Sequence, residues 1–226
     1  MEGFVIQLLR VSFGYPGSKV LFNGADFGIT SKSRIVLLGE NGNGKSTLLK
    51  ILNGDLNPLS GEVRKEPSIR VAIVNQHHAD QISLQQTPLQ FMQEKFPGDS
   101  SYKHTMNLRA HLASCGVTSE PDLQNVPASA LSGGQRSRVA LAAVSYLKPH
   151  VLFLDEPTNN LDLESVEALA QSIKKFEGAV VVVSHDQYFV NEVANEVYVV
   201  AAGSVKQVES FDSYRKKQIA KLDKKK

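Results

Sequence analysis

The sequence predicts an α/β fold in which a mainly parallel sheet carries an antiparallel β edge and an inserted helical lobe. Three observations support this fold class. Short apolar runs alternate with helical patterns over residues 34–53 and 151–208, two β-rich stretches open the chain at residues 4–11 and 20–29, and a largely helical lobe occupies about residues 77–147. Alternating strands and helices favour a parallel sheet that is covered on both faces.

Composition and length are those of one large α/β domain. The 226 residues, with 42% hydrophobic content, can bury a substantial core, so we predict a single domain over residues 1–226. The apolar runs are too short to cross a bilayer and the N-terminus has no signal-peptide pattern, so we expect no membrane insertion and a cytoplasmic location. The one cysteine, Cys115, excludes an internal disulfide and is expected to be a small core residue.

Positive charge is concentrated at the end of the chain. Residues 212–226 carry seven basic and two acidic side chains, so the net charge of +2 comes from a tail of +5 and a remainder of −3. Such a tail can contact RNA or another anionic surface, and it can equally be a solvated helix end.

Each element follows from its own residues. Residues 34–38 form a short apolar run that predicts a buried strand, 39–45 a glycine-rich loop, and 46–53 a helix. The remaining strands are expected at residues 62–65, 69–75, 151–154, 179–184, 197–200 and 205–208, and the remaining helices at residues 163–176 and 187–194.

The glycine-rich loop has the spacing of a phosphate-binding loop. Its residues, between the buried strand and the helix, are Gly39, Glu40, Asn41, Gly42, Asn43, Gly44, Lys45 and Ser46. Glycines let backbone N–H groups converge on phosphate oxygens, and the helix start adds the positive end of its dipole. Lys45 is suited to the β- and γ-phosphates and Ser46 to Mg²⁺. We therefore expect a nucleoside triphosphate to bind here.

Two carboxylates end the apolar strand at residues 151–154. Beside a phosphate loop, Asp155 would hold Mg²⁺ and Glu156 could polarise an attacking water as general base. The alternative is that both acids only cap the next helix. His185 follows another apolar strand, where a lone histidine is ordinarily structural.

A further motif, Leu131-Ser132-Gly133-Gly134-Gln135, precedes a helical run. Ser132 can cap that helix while the Gly133 and Gly134 amides lie exposed, so the segment can bind a phosphate. Together with the phosphate loop, Gln76, the acidic pair and His185 in this order, it closely resembles the ATP-binding cassette family over nearly the whole chain. The resemblance implies the P-loop NTPase fold that this family has. The resemblance implies an ATPase that sandwiches two ATP molecules between two cassettes.

The resemblance assigns further roles residue by residue. Glu156, His185 and Gln76 are implied to be catalytic, and Ser46, Gln76 and Asp155 to hold Mg²⁺. Tyr15 matches the aromatic residue that stacks on adenine, and a core or turn tyrosine is the alternative. The implied nucleotide-binding residues are Tyr15, Gly39, Glu40, Asn41, Gly42, Asn43, Gly44, Lys45, Ser46, Thr47, Ser132, Gly133, Gly134, Gln135 and Asp162. Arg136 and Arg138 are expected to be surface or structural charges.

The branch of the family is indicated by residues 156–162, which look like those of ABC-F proteins except that Asn160 stands where histidine is usual. Residues 76–78, 96–98 and 211–217 are similar to the second cassette of eukaryotic ABC-F proteins linked to ribosomes. The resemblance implies the C-terminal half of a longer protein, without the linker between cassettes that contacts the ribosome. Its partner would be a second cassette, in the same longer chain or as an ATP-dependent homodimer, with ribosome or RNA contacts through that linker and the basic tail.

Two other functions stay open at this point. One is the ATPase subunit of a membrane ABC transporter, which Asn159-Asn160 disfavours. The other is a module that binds nucleotide only to assemble with a partner, against which Lys45, Asp155, Glu156 and His185 argue.

Overall fold

A computed structural model describes residues 3–74, 81–120, 122–159 and 161–223. The chain divides into two compact units: residues 1–71, 150–155 and 177–226 form the first, and residues 72–149 and 156–176 form the second. The predicted helical lobe at about residues 77–147 falls within the second unit. The prediction of a single domain over residues 1–226 stays a prediction.

Strands and helices alternate over residues 151–201, whereas three strands open the chain and three α-helices follow one another over residues 88–145. The strands are β1 (Phe4–Phe13), β2 (Phe22–Thr30), β3 (Arg34–Leu38), β4 (Ser60–Lys65), β5 (Val71–Val74), β6 (Val151–Asp155), β7 (Ala179–Val183), β8 (Glu196–Ala201) and β9 (Ser204–Val208). The α-helices are α1 (Lys45–Asn53), α2 (Pro88–Lys95), α3 (Tyr102–Ser114), α4 (Gly133–Ser145), α5 (Leu163–Lys174), α6 (Gln187–Val193) and α7 (Phe211–Asp223).

The antiparallel edge predicted from the first two strands is confirmed in the first unit. Strand β1 pairs with β2 and with β4, both antiparallel, in the order β2-β1-β4. The pairing shifts register between Leu8 and Val11, where Arg10 has a left-handed φ of 48°. Ile6, Leu8 and Val11 are fully buried, so one face of this sheet packs on the core.

The parallel sheet is also confirmed. Five neighbouring strands of the larger sheet lie in the first unit, in the order β6-β7-β3-β8-β9. All pairs are parallel except β8 with β9. Every residue of β7 is buried, as a parallel strand covered on both faces requires. On one face, α6 and α7 contribute Val190, Phe211 and Tyr214 to a cluster around Val36 and Leu38.

The second unit has a separate core made by its helices. Its largest contributions come from Phe91, Met92, Leu108, Leu112 and Val139, which are at most 8% exposed. Cys115 is buried at the edge of this cluster, as expected for a small core residue. Its pKa is raised because burial disfavours the thiolate.

The helix predicted at residues 163–176 is confirmed as α5, which follows β6 and precedes β7 in the chain and belongs to the second unit with the helical lobe. Gly134 of α4 and Ser165 of α5 are in direct contact, and this contact could not be read from the local sequence. Within the described ranges, none of the helices combines the length and the apolarity needed to cross a bilayer.

Candidate active site

The phosphate loop connects β3 to α1, where the sequence predicted it. Strand β3 is buried from Ile35 to Leu38. Helix α1 begins at Lys45, and its N-cap residue, Gly44, has a left-handed φ of 94°. No side chain caps this helix start. The first N–H groups of a helix lack partners within it, so those of α1 can bind an anion.

Gly39 begins the loop at a point of close backbone contact. Its φ is 149°, and a Cβ atom at this position would lie 2.4 Å from the Val200 carbonyl oxygen of β8. Real Cβ atoms do not approach a backbone oxygen so closely, so any larger residue must displace one of the two strands. Glycine here is a requirement of packing between neighbouring strands as well as of loop conformation.

The Lys45 side chain is folded back over the loop. It is only 7% exposed, and its Nζ donates hydrogen bonds to the Gly39 carbonyl at 2.7 Å and to the Glu40 carbonyl at 3.3 Å. A buried ammonium group is costly unless its protons are shared with acceptors, and these carbonyls supply them. The positive charge of Lys45 is thus held against the glycine-rich loop, where it can bind a phosphate group.

Thr47 and Tyr15 are linked. The Tyr15 hydroxyl lies 3.3 Å from Thr47 Oγ1, and its ring packs edge-to-face on Phe13 with centroids 5.1 Å apart. The Tyr15 side chain is still 40% exposed, so one part of the ring is open to solvent. This is compatible with the predicted stacking on adenine, which stays a prediction.

Asp155 and His185 lie at the same edge of the parallel sheet as the phosphate loop. In the register, Leu37 and Asp155 both pair with Val183, so β3, β6 and β7 end at one level. Gly39 lies two residues after Leu37, and His185 lies two residues after Val183. Ligands of open α/β sheets bind outside the carboxyl ends of the strands, which is where these residues lie.

The electrostatics of this edge favour a neutral histidine. The pKa of His185 is lowered, first by burial and second by the positive charge of Lys45. A neutral imidazole can accept a hydrogen bond from one nitrogen and donate from the other. Such a group can bridge a phosphate oxygen and a water molecule.

Glu156 has an unusual backbone conformation. Its φ is 50°, in the left-handed region that a residue with a Cβ seldom adopts, and its carbonyl accepts a hydrogen bond from the Asn159 N–H at 3.3 Å. Asp155 is the last residue of β6, so the change of backbone conformation falls between the two adjacent carboxylates. Strained backbone of this kind is concentrated at functional sites.

The motif at residues 131–135, called the signature motif below, places two reciprocal capping hydrogen bonds at the start of α4. Ser132 Oγ accepts a hydrogen bond from the Gln135 N–H at 3.2 Å, and Gln135 Oε1 accepts one from the Ser132 N–H at 2.8 Å. The predicted capping role of Ser132 is therefore confirmed, and Gln135 completes a capping box.

One expectation about the motif is wrong. The amides of Gly133 and Gly134 were both expected to lie exposed, but Gly134 is buried. A Cβ atom on Gly134 would lie 1.8 Å from Ser165 Oγ, in the first turn of α5. Asp162 caps that helix, since its Oδ1 accepts a hydrogen bond from the Ser165 N–H at 2.8 Å. Gly133, by contrast, is partly exposed.

Two predicted positions lie outside the described residues. These are Gln76, predicted to be a catalytic and metal-binding residue, and Asn160, the position that departs from the ABC-F pattern. Sequence reasoning missed Ser165 and Val200, because each matters through a contact with a glycine distant in the chain. For Ser165 the one local signal was a small polar residue three positions after a capping aspartate.

The residues present suit magnesium. Ser46 and Asp155 supply a hydroxyl and a carboxylate oxygen, the hard ligands that Mg²⁺ prefers beside substrate phosphates. The described residues contain no cluster of three or more histidine, cysteine or acidic side chains that would form a site built from protein ligands alone. A metal bound mainly by a nucleotide and by one or two protein oxygens fits this donor set.

Fold and site together define a P-loop nucleotide-binding domain of the ATP-binding cassette type. The profile of the ABC transporter family matches residues 22–159. The chain belongs to that family, and it is an ATP-binding cassette, the family's ATPase domain.

Its relatives at high similarity are members of the F family. The chain is 45% identical to ABC transporter F family member 3 of Arabidopsis thaliana over 94% of its own length. It is 42% identical to protein GCN20 of Saccharomyces cerevisiae over 91% of its length, and 39% identical to human ATP-binding cassette sub-family F member 3 over 93%. The matches cover 29%, 26% and 29% of these relatives, so the chain spans less than a third of each.

Solved structures agree on the fold. cbiO1 from Clostridium perfringens, part of the ABC transporter complex cbiONQ, has a TM-score of 0.81 at 24% identity, over 98% of this chain and 94% of that one. A dimeric ATP-binding cassette in a post-hydrolysis state with ADP and Pi has a TM-score of 0.72 at 22% identity, over 91% of this chain and 100% of that one.

Proposed function

We propose that this cassette binds and hydrolyses Mg-ATP in a composite site completed by a second cassette, as part of an ABC-F protein that acts in translation. The observation that carries the proposal is the position of Lys45. This ammonium group is buried and held by two loop carbonyls at the uncapped start of α1. A buried cation at a free helix N-terminus suits a polyphosphate.

Each predicted site residue has a part in this reaction. Lys45 and the loop amides bind the β- and γ-phosphates, and Ser46 with Asp155 would hold Mg²⁺, which supplies charge neutralisation on the phosphate oxygens. Glu156 takes the proton of the attacking water as general base, and Gln76 is assigned to orient that water. His185, kept neutral by burial and by Lys45, donates or accepts a hydrogen bond at the γ-phosphate.

The second cassette supplies what one chain lacks. In the family arrangement, Ser132, Gly133 and Gln135 face a nucleotide held by the opposite phosphate loop, and Asp162 lies in the loop that communicates across the pair. Here Ser132 and Gln135 are locked in a capping box at the start of α4, and Gly133 remains partly exposed. A preorganised helix N-terminus with an open glycine suits the binding of a γ-phosphate.

The role in translation rests on the resemblance to ABC-F proteins, in which this chain corresponds to the C-terminal cassette. In such a protein, which is soluble and cytoplasmic, closing and opening of the cassette pair acts on the ribosome. Cosedimentation of the twin-cassette protein with ribosomes in Mg-ATP, compared with fractionation on membranes, tests this part. Recovery with membranes and not with ribosomes would favour a transporter subunit instead.

The test of the chemistry uses Glu156→Gln in the 226-residue chain. We expect ATP affinity to stay close to that of the wild type, because the phosphate loop is unchanged. Phosphate release should fall by roughly 100-fold or more, the usual contribution of a general base. Since hydrolysis opens the pair, the variant should also accumulate an ATP-dependent dimer in analytical ultracentrifugation.

The matched control is Glu167→Gln, an exposed glutamate on α5. It should hydrolyse ATP and sediment as the wild type does. Unchanged turnover in Glu156→Gln would remove that residue from its role, and a tight dimer without nucleotide would contradict the ATP-dependent pairing.

A further inference from the structure

The starts of α4 and α5 are in direct contact within the second unit. Gly134 lies so close to Ser165 that a Cβ atom would approach Ser165 Oγ to 1.8 Å and its Cβ to 2.1 Å. Ser165 is itself 4% exposed and its N–H is bound to the Asp162 carboxylate. The signature motif and the Asp162 cap are therefore neighbours in space, although about thirty residues separate them in the chain.

Arg138, one helical turn after Gly134, connects the signature motif to the residues that follow α3. Its Nη1 donates a hydrogen bond to the Gly116 carbonyl at 3.0 Å, and its Nε donates one to the Gly134 carbonyl at 3.4 Å. Its positive charge also interacts with the Asp162 carboxylate. One guanidinium thus donates hydrogen bonds to two segments of the second unit, at Gly116 and at Gly134.

The surroundings of Arg138 are unlike those of a surface charge. The guanidinium is about half-buried, and this burial lowers its pKa while the Asp162 charge acts in the opposite direction. Gly116 has a φ of 81°, and a Cβ atom there would lie 3.0 Å from Arg138 Nη1, so the backbone fits closely around the side chain. A planar fork with several donors fits this site, whereas the single ammonium of lysine does not.

We propose that Arg138 is a positioning residue for the composite site: it holds the signature motif and Asp162 in one fixed arrangement, so that both meet the second cassette together. This inference rests on the proposed function, in which both segments face that cassette. Arg138 contacts no nucleotide in this scheme. It acts through its hydrogen bond to the Gly134 carbonyl, and Gly134 packs directly on Ser165, whose N–H is bound to the Asp162 carboxylate. A small displacement along this path lowers the rate of hydrolysis without weakening binding at the phosphate loop.

The test is Arg138→Met in the 226-residue chain. Methionine retains a long unbranched side chain but lacks the hydrogen-bond donors and the charge of arginine. Arg109→Met is the matched control, because Arg109 is also partly buried in the second unit and donates two hydrogen bonds, to Gln124 and Asn125, away from α5. ATP affinity, kcat for phosphate release and Tm are measured for both variants. Arg138→Lys, which keeps the charge, is measured alongside them.

We expect Arg138→Met to bind ATP as the wild type does while kcat falls roughly ten- to hundredfold. Arg109→Met should lose Tm to a similar extent and keep its kcat, and Arg138→Lys should have an intermediate kcat. If kcat falls in both methionine variants in proportion to Tm, Arg138 has a structural role only and the proposal is overturned. If Arg138→Met does not fold, wild-type kcat in Arg138→Lys overturns it equally.

Hydrogen exchange separates this inference from the proposed function. Arg138→Met, or Arg138→Lys if the former does not fold, should exchange faster than the wild type at the amides of both residues 132–135 and residues 162–165. Faster exchange in both segments supports the link even if the wild-type chain hydrolyses no ATP, in which case the proposed function alone fails. Unchanged exchange in either segment contradicts the link.

Discussion

Replacing Gly39 by alanine tests how the phosphate loop is joined to the sheet. The added methyl group would lie 2.4 Å from the Val200 carbonyl oxygen; Gly39 directly follows β3, and Val200 belongs to the neighbouring strand β8. Gly42, three residues further along the same loop, is the matched control. Its φ is 83°, so alanine is strained there too, but a Cβ atom would meet nothing within 4 Å.

The difference between the two sites gives the expected magnitude. Gly42→Ala carries only the cost of left-handed backbone, about 1–2 kcal/mol. Gly39→Ala adds the displacement of a packed backbone, for which overpacking costs of about 1–3 kcal/mol apply, so that its total is about 2–5 kcal/mol. For a chain of this size each 1 kcal/mol lowers Tm by roughly 2–4 °C.

Thermal unfolding of the two variants beside the wild type is the assay, with ATP binding as a second readout. Gly39→Ala should have the lower Tm, and it should bind ATP more weakly because its own carbonyl accepts the hydrogen bond from Lys45 Nζ. Equal losses of Tm in the two variants would refute the reasoning, since strain alone would then account for both.

Two further predictions follow from single side chains. Lys45→Ala should weaken ATP binding by roughly 10-fold or more, since hydrogen bonds to charged groups contribute about 1.5–3 kcal/mol. Replacement of the exposed Lys50 on α1 by alanine is the control, and wild-type ATP affinity in Lys45→Ala would contradict the phosphate-binding role of Lys45. The pKa of His111 is lowered by burial, so its neutral form is favoured in the folded state, where its ring lies 3.0 Å from the Ala142 carbonyl and the Ser145 hydroxyl. The stability that His111 contributes is complete above its unfolded pKa near 6.5 and is lost as pH falls through the lowered folded pKa. When the free energy of unfolding is measured in urea at pH 7 and at pH 5, it should therefore fall less in His111→Gln than in the wild type. An equal fall in the free energy of unfolding would contradict this.

Much of the site was predictable because it is encoded by neighbours in the chain. Three local patterns predicted it: the glycine spacing before Lys45, the apolar strand before Asp155 and the serine that caps α4. Such patterns can be read from the sequence because the interactions that form them join residues a few positions apart. The parallel order of β3 beside β7 and β8 agrees with the alternation of strands and helices. Element ends were less well predicted: β2 begins at Phe22 and β5 begins at Val71, each two residues later than the expectation.

By itself, the sequence determined the class of the protein and the identity of its phosphate loop, acidic strand end and signature, since these depend on residue type and spacing. Only the tertiary structure decided why particular residues are required. Gly39 must be glycine because of the carbonyl of Val200, and Gly134 because of Ser165. Arg138, expected to be a surface or structural charge, holds backbone carbonyls of two segments of the chain. Such contacts join residues far apart in sequence, and they follow from packing that no local pattern records.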